Sequence, residues 1–256
     1  MIKLIAMDVD GTLINLNESW IKDEVLEQAE RLMDLGIIVC FATGRQFANL
    51  LVLAKHLKDR FYYLAENGAA IFGPGPEHSL LYKKEIDRSA ALHAADLILN
   101  RPGCELVICG ANMFYILPKT KAFEERMSRY QGCNLTVVSS YDEIHEPIVK
   151  VSGYSKDSEA LRCYLAQNCD PALRCAISGP VWVDVNLADK GMAIRELCRQ
   201  LDISLEDVAA FGDNYNDMQI LNVVGHPYIR NTAAAELQER YGNVFSNVED
   251  VLRTFR

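Results

Sequence analysis

The sequence predicts an α/β fold, a Rossmann-like core built on a parallel sheet and interrupted by an inserted α+β domain. Three observations carry that reading. Short apolar strands alternate with helical patterns at both ends of the chain, the texture changes at the turn-rich Gly73-Pro74-Gly75-Pro76, and the alternation resumes after Lys190. The expected boundaries are 1–83 and 184–256 for the core and 84–183 for the insertion.

"IKLIAMD" reads as a buried strand, and "DEVLEQAERLMDLG" sets Val25, Leu26, Ala29, Leu32 and Met33 at helical spacing before Gly36. "IIVCFATGR" gives a second strand, "QFANLLVLAKHL" a helix and "FYYLAENGAAIF" a third strand. Apolar strands linked through helices imply parallel pairing with both faces covered. The insertion opens with a helix from Asp87 to Asn100, strands "ELVICG" and "MFYILP", and a helix from Lys119 to Tyr130. It continues with short strands "LTVVS" and "PIVKVSG", a helix from Ser158 to Asn168, and closing strands "LRCAIS" and "VWVDVNL". Strands joined by short turns predict an antiparallel sheet with helices on one face. The core then resumes as helix "KGMAIRELCRQL", strand "VAAFGD", helix "NDMQILN", strand "PYIR", helix "AAAELQERY", "NVFS" and a final helix.

Half of the 256 residues are apolar, enough for a substantial core. The net charge is -9 and the 26 Lys and Arg are scattered, which argues against a nucleic-acid partner. An acidic protein that handles an anion needs a local device, such as a metal, a helix N-terminus or a placed Lys. No apolar run approaches the ~18 residues of a membrane span. Acids also occupy the place of a signal peptide's hydrophobic stretch, so a cytoplasmic monomer or homodimer is expected. The eight cysteines form no CxxC pair or Cys/His cluster and are expected to be reduced, buried thiols. Five dispersed histidines suggest neither a zinc site nor a Ser-His-Asp triad.

Ligands of open parallel sheets bind beyond the carboxyl ends of the strands. The first strand ends in Asp8, the second in Thr43-Gly44-Arg45, the third in Glu66-Asn67-Gly68, and the strand after the insertion in Gly212-Asp213-Asn214. Asp8 with Asp10, Asp213 with Asp217, and Lys190 at a helix start therefore gather on one rim. Packed acids raise one another's pKa, and a hard divalent cation such as Mg²⁺ neutralises them while leaving room for phosphate. That points to a phosphate ester, with the Thr43 hydroxyl, the Gly44 N–H and Lys190 cradling its oxygens. Asp8 is the candidate nucleophile. Asp10, aimed by the turn at Gly11, is the candidate general acid and base. Phosphate monoester hydrolysis is so slow unaided that these groups must together remove about 20 kcal/mol or more of barrier.

"DVDGT", "ATGR", "DKG" and "GDNYND" resemble, in order and spacing, the four motifs of haloacid dehalogenase (HAD) superfamily phosphatases, specifically the sugar-phosphatase-like Cof group with a type IIB cap. The resemblance covers essentially the whole chain, and the insertion sits where that family keeps its substrate-specificity cap. It implies Asp8 as nucleophile, Asp10 as general acid/base, and Thr43 and Lys190 as phosphate binders. It also implies Mg²⁺ on the Asp8 carboxylate, the Asp10 backbone carbonyl and Asp213, with Asn216 and Asp217 supporting the metal or its waters.

Two stretches depart from the family pattern. Leu187-Ala188-Asp189 replaces the common Gly-Val approach to the lysine, and Ile229-Arg230-Asn231 replaces an apolar-Met-Gly-Asn stretch. Arg230 is expected first as a solvated charge at a strand end, with contact to an anionic substrate as the alternative. Arg45 either pairs with an acid or touches substrate; Glu66 and Asn67 can simply satisfy a turn. Asn112, Tyr115, Asp184 and Asn186 could face the active site, but one sequence does not separate them from surface positions. The function expected is a Mg²⁺-dependent phosphatase for a small phosphorylated metabolite, a sugar phosphate first, acting through an aspartyl phosphate. Its rivals are a phosphomutase using the same intermediate and a non-catalytic regulatory or binding protein on the same fold. A phosphorylation-driven pump fails for want of a membrane span.

Overall fold

The computed structural model describes residues 1–15, 18–130 and 132–256, and its fold is of the α/β class expected. Two compact units divide the chain. One comprises Met1–Arg45, Leu50–Tyr82 and Asp189–Arg256, the other Gln46–Asn49 and Lys83–Ala188.

The chain begins with β1 (Leu4–Met7), α1 (Asp23–Asp34), β2 (Ile38–Ala42) and α2 (Phe47–Ala54). Helix α1 forms because Val25, Leu26, Ala29 and Leu32 recur on one buried face, with Asp23 and Glu24 favoured in its first turn by the helix dipole. Next come β3 (Tyr62–Ala65), β4 (Ala70–Phe72) and β5 (Leu80–Lys83). The single strand expected over 61–72 is thus a hairpin. Glu66, Asn67 and Gly68 all take positive φ (53°, 56° and 90°), which reverses the chain so that β4 runs antiparallel to β3. Strand β5, mostly exposed, is an edge strand that the sequence reading did not include.

The second unit contains α3 (Arg88–Leu99), β6 (Glu105–Cys109), β7 (Phe114–Ile116), α4 (Lys121–Ser128) and β8 (Leu135–Val137). It closes with β9 (Lys150–Tyr154), α5 (Ser158–Asn168), β10 (Arg174–Gly179) and β11 (Trp182–Asn186). Asp87, Thr120 and Asp157 cap α3, α4 and α5 with side-chain oxygens on early N–H groups, fixing the starts within a residue or two of expectation. The sheet order is β10-β11-β9-β6-β7-β8. Its pairings are antiparallel except β7–β8, where the intervening α4 returns the chain in the same direction.

Lys190–Leu201 forms α6, followed by β12 (Val208–Gly212), α7 (Met218–Leu221), β13 (His226–Arg230), α8 (Ala235–Tyr241), β14 (Val244–Phe245) and α9 (Val248–Leu252). The first unit's sheet runs β14-β13-β12-β1-β2-β3-β4-β5, parallel from β14 through β3. Leu4, Ala6, Cys40 and Ala42 face α6 and α7, burying Ala193, Ile194, Leu197 and Ile220, while strand alternation sends Ile5 and Met7 to the opposite face. Each such Leu or Ile contributes about 1.5–3 kcal/mol by leaving water.

Burial of the thiols holds for Cys40, Cys104, Cys109 and Cys198; Cys163 is exposed, the other three are half-buried, and none of the eight is joined in a disulfide. Among the described residues no helix is long and apolar enough to cross a membrane.

Candidate active site

Strand β1 lies between β12 and β2 and runs parallel to both, with Met7 level with Phe211 and Phe41. The residues that follow these strands, Asp8, Asp213 and Thr43, consequently emerge side by side on one edge of the sheet. The backbone anchors them there: Asp8 N–H donates to Phe211 O (3.0 Å) and Thr43 N–H to Leu64 O (2.9 Å). Lys190 arrives as the first residue of α6, whose start is fixed by Asp189 accepting from the Met192 N–H at 2.8 Å. The Leu187-Ala188-Asp189 approach therefore delivers the lysine through an ordinary N-cap.

Lys190 is 1 % exposed, and its Nζ lies 2.5 Å from Asp8 Oδ1 and 2.6 Å from Asp217 Oδ1. The other oxygen of Asp217 accepts the N–H groups of Asp213 (3.0 Å) and Asn214 (3.1 Å), so this acid braces the turn and holds the lysine. A Cβ at Gly212 would stand 2.5 Å from the Asp217 Cβ; only glycine lets the acid fold back under its own strand. Asn216 sits in the short turn Tyr215–Asp217, started by the Asn214 side chain on the Tyr215 N–H. Asp213 Oδ1 accepts from the Thr12 hydroxyl at 3.0 Å. Thr12 lies inside the "DVDGT" stretch, yet sequence reasoning gave it no role, because its partner is 201 residues away.

Asp8, Asp213 and Asp217 can each turn an oxygen to within 4.8 Å of the others. Burial first, then the Asp217 and Asp213 charges, push the Asp8 carboxyl well above its ordinary value against the pull of Lys190. Burial and the Asp217 charge push Asp213 up to about 6. Burial pulls the Lys190 ammonium down, but the Asp217 and Asp8 carboxylates outweigh it and leave the lysine more firmly protonated than usual. Three acids against one cation leave the cluster short of positive charge. Its donors are carboxylate oxygens, the set a hard divalent ion prefers, so the residues fit Mg²⁺.

Asp10 is held apart from that cluster. Its carboxylate, 58 % exposed, takes Arg45 as a fork, Nε to Oδ2 at 2.8 Å and Nη2 to Oδ1 at 2.6 Å. Pairing with an acid, one of the two roles open to Arg45, is thus seen. Beside Asp213, Gly11 takes φ +86° and passes so close that a Cβ would fall 2.2 Å from Asp213 Oδ2. Thr43 is buried with its hydroxyl oxygen accepting from the Arg45 N–H (3.2 Å), and a Cβ at Gly44 would reach 2.9 Å from Asn67 Oδ1.

Arg230 is not a solvated charge. It is half-buried, and its guanidinium donates to Gly11 O (2.6 Å), Thr12 O (3.1 Å) and Asn15 Oδ1. In the second unit, Asp184 and Asn186 are buried rather than exposed; Asp184 accepts from Ser152 Oγ (2.6 Å) and lies 3.6 Å from Lys150 Nζ. The Tyr115 hydroxyl donates to Glu146 at 2.9 Å, and Asn112 is half-buried.

The sequence profile of the family described as haloacid dehalogenase-like hydrolase matches residues 5–251. The chain is 25% identical over 264 residues to the 5-amino-6-(5-phospho-D-ribitylamino)uracil phosphatase YbjI of Escherichia coli (strain K12), covering 98% of this chain and 94% of that one. It is 24% identical to the HMP-PP phosphatase of Yersinia pseudotuberculosis serotype O:1b (strain IP 31758), over 93% of this chain and 87% of the relative. Among solved structures, a haloacid dehalogenase-like hydrolase from B. subtilis superposes with TM-score 0.86 at 21% identity over 100% of both chains. The HAD subclass IIB sugar phosphatase BT4131 superposes with TM-score 0.83 at 20% identity, covering 99% of this chain and 98% of that one.

Proposed function

This chain belongs to the haloacid dehalogenase-like hydrolases and is an enzyme of the phosphoric monoester hydrolase type, and from that premise we propose that it is a Mg²⁺-dependent phosphatase of a small phosphorylated metabolite, a sugar or polyol phosphate. The observation that carries the reading is the packing of Asp8, Asp213 and Asp217 around the buried Lys190 at the carboxyl edge of a parallel sheet.

Asp8 is the nucleophile. Its Oδ1 is pinned by Lys190, and the other oxygen attacks phosphorus to form an aspartyl phosphate. Asp10 donates a proton to the leaving oxygen and then takes one from the water that opens the acyl phosphate. To do so Asp10 leaves the Arg45 fork and takes up a proton from solvent before it acts as the acid, an exchange that the solvent-accessible position of its carboxylate makes inexpensive. The Thr43 hydroxyl, the Gly44 N–H and Lys190 bind the phosphoryl oxygens. Asp8, the Asp10 carbonyl and Asp213 would hold Mg²⁺, with Thr12 orienting Asp213 and with Asn216 and Asp217 in support. When bound, the ion offsets the charge of the acids and of the phosphoryl group. The second unit serves as the cap that contacts the organic part of the substrate; the Escherichia coli relative is named for a phosphoribityl compound, a small phosphate ester of the class proposed.

The test is release of inorganic phosphate from an aryl phosphate with Mg²⁺, followed by a screen of several dozen phosphate esters. Activity that stops on addition of EDTA and vanishes in Asp8→Asn is expected. Isomerised ester without net phosphate release would instead identify a mutase, and full activity in Asp8→Asn would remove Asp8 as nucleophile.

A further inference from the structure

The turn after β1 carries both candidate catalytic acids, and bonds of its own help to close its shape. Gly11 N–H donates to Ile14 O (2.9 Å), and Leu13 and Ile14 N–H both donate to Val9 O (3.0 and 2.9 Å). Arg230, 219 residues away at the end of β13, adds bonds from outside the turn. One Nη holds the carbonyls on both sides of the Thr12 Cα, Gly11 O at 2.6 Å and Thr12 O at 3.1 Å; the other Nη holds Asn15 Oδ1. Asn15 is fixed from its far side by Glu18, whose Oε2 accepts from the Asn15 N (3.2 Å) and Nδ2 (2.7 Å). Thr12, clamped this way, donates its hydroxyl to Asp213 Oδ1 at 3.0 Å. A planar guanidinium spreads its donors over separate nitrogens, so one Nη reaches the two carbonyls while the other reaches Asn15, whereas an ammonium would have to meet all three from a single atom and an apolar side chain could meet none.

We propose that Arg230 is a positioning residue for the phosphatase reaction. It straps the Gly11–Asn15 turn so that the Thr12 hydroxyl stays on Asp213 and the Asp10 backbone stays beside Asp8. It does not touch substrate or metal. The inference rests on the functional reading above for its kinetic consequence, and on the geometry alone for its structural one.

Arg230→Ala and Arg230→Lys in the full chain, checked for folding by thermal melting, separate the two. Backbone amide exchange is followed at Leu13 and Ile14 in the turn and at Ala209 and Ala210 in β12. In Arg230→Ala the turn amides are expected to exchange at least about tenfold faster while those of β12 keep their rates, as in a local opening. With an aryl phosphate, kcat is expected to fall roughly 10- to 100-fold, KM to change less than about threefold, and the half-saturating Mg²⁺ concentration to rise. Added guanidinium ion should restore part of the Arg230→Ala rate and none of the Asp8→Asn rate, and Arg230→Lys should fall between wild type and Ala. Unchanged turn exchange, or wild-type kcat in a folded Arg230→Ala, overturns the proposal. So does loosening of β12 to the same degree, which would make the arginine a general stabiliser. A wild-type protein that hydrolyses no ester defeats the phosphatase reading, and with it the kinetic half of this inference, while the exchange experiment still decides whether the strap exists.

Discussion

Lys190 is buried between the Asp8 and Asp217 carboxylates, and Lys190, Asp8 and Asp10 each relate stability to turnover in a different way. Replacing the lysine by Met leaves Asp8 and Asp217 facing one another with no cation, a change that costs roughly 3–5 kcal/mol when one partner of a buried pair is lost. Lys190→Met should therefore show that loss by urea unfolding in EDTA, together with loss of turnover. Asp8→Asn works the other way. The raised pKa of Asp8 means that its charged form is unwelcome without a metal, so the neutral amide should unfold at no lower urea concentration than wild type while phosphate release is abolished. Asp10 is the third case. Its ion pair with Arg45 is largely exposed and is worth about 1 kcal/mol at most, so Asp10→Asn should melt close to wild type. Turnover should still fall by roughly 10²- to 10⁴-fold, the usual reach of a general acid, with Mg²⁺-induced stabilisation retained because the proposed ligand is the backbone carbonyl. A variant of Asp10 that lost Mg²⁺ response as completely as turnover would contradict that division of labour.

At the scale of elements, the turn after β1 offers a paired comparison. Gly11 and Gly36 have nearly the same backbone angle, φ +86° and +85°, but a Cβ at Gly36 meets nothing within 4 Å while one at Gly11 strikes Asp213. Both alanine variants should lose about 1 kcal/mol from the strained angle. Only Gly11→Ala should also lose phosphatase activity and require more Mg²⁺, as measured by steady-state kinetics; equal activity in the two would mean that the close approach to Asp213 is irrelevant. The same turn marks the limit of what the sequence made legible. Strand–helix alternation exposed the parallel core, polar residues ending apolar runs exposed Asp8, Thr43 and Asp213, and a helix start exposed Lys190, because those signals are local. The β3–β4 hairpin was hidden inside one continuous apolar run whose reversal depends on three positive φ angles. The Arg45–Asp10, Thr12–Asp213 and Arg230–Gly11 contacts were hidden for a different reason. They join residues 35, 201 and 219 positions apart, and only the order of strands in the sheet brings them together.

For the whole molecule, the acid excess and the site's shortage of positive charge make stability, pH and metal one linked quantity. Burial and neighbouring acids push Asp213 up to about 6 and Asp8 upward as well. Between the ordinary carboxyl pKa and these raised values, the folded protein holds more protons than the unfolded chain, so the contribution of these groups to stability falls as pH rises through that window. At the low end the protons themselves relieve the repulsion. At the high end a divalent ion can do so, and binding the folded state alone adds RT ln(1 + [L]/Kd). Protons and Mg²⁺ thus compete for one set of oxygens. The rise in melting temperature produced by millimolar Mg²⁺ over EDTA should therefore be small near about pH 5 and clearly larger near about pH 7.5. Other titrating groups alter the absolute melting temperatures at the two pH values, but they cancel in the difference between Mg²⁺ and EDTA at each pH. Asp213→Asn should abolish most of the increment at the higher pH. An increment of the same size at both pH values would show that the ion, if it binds, does so away from Asp8 and Asp213.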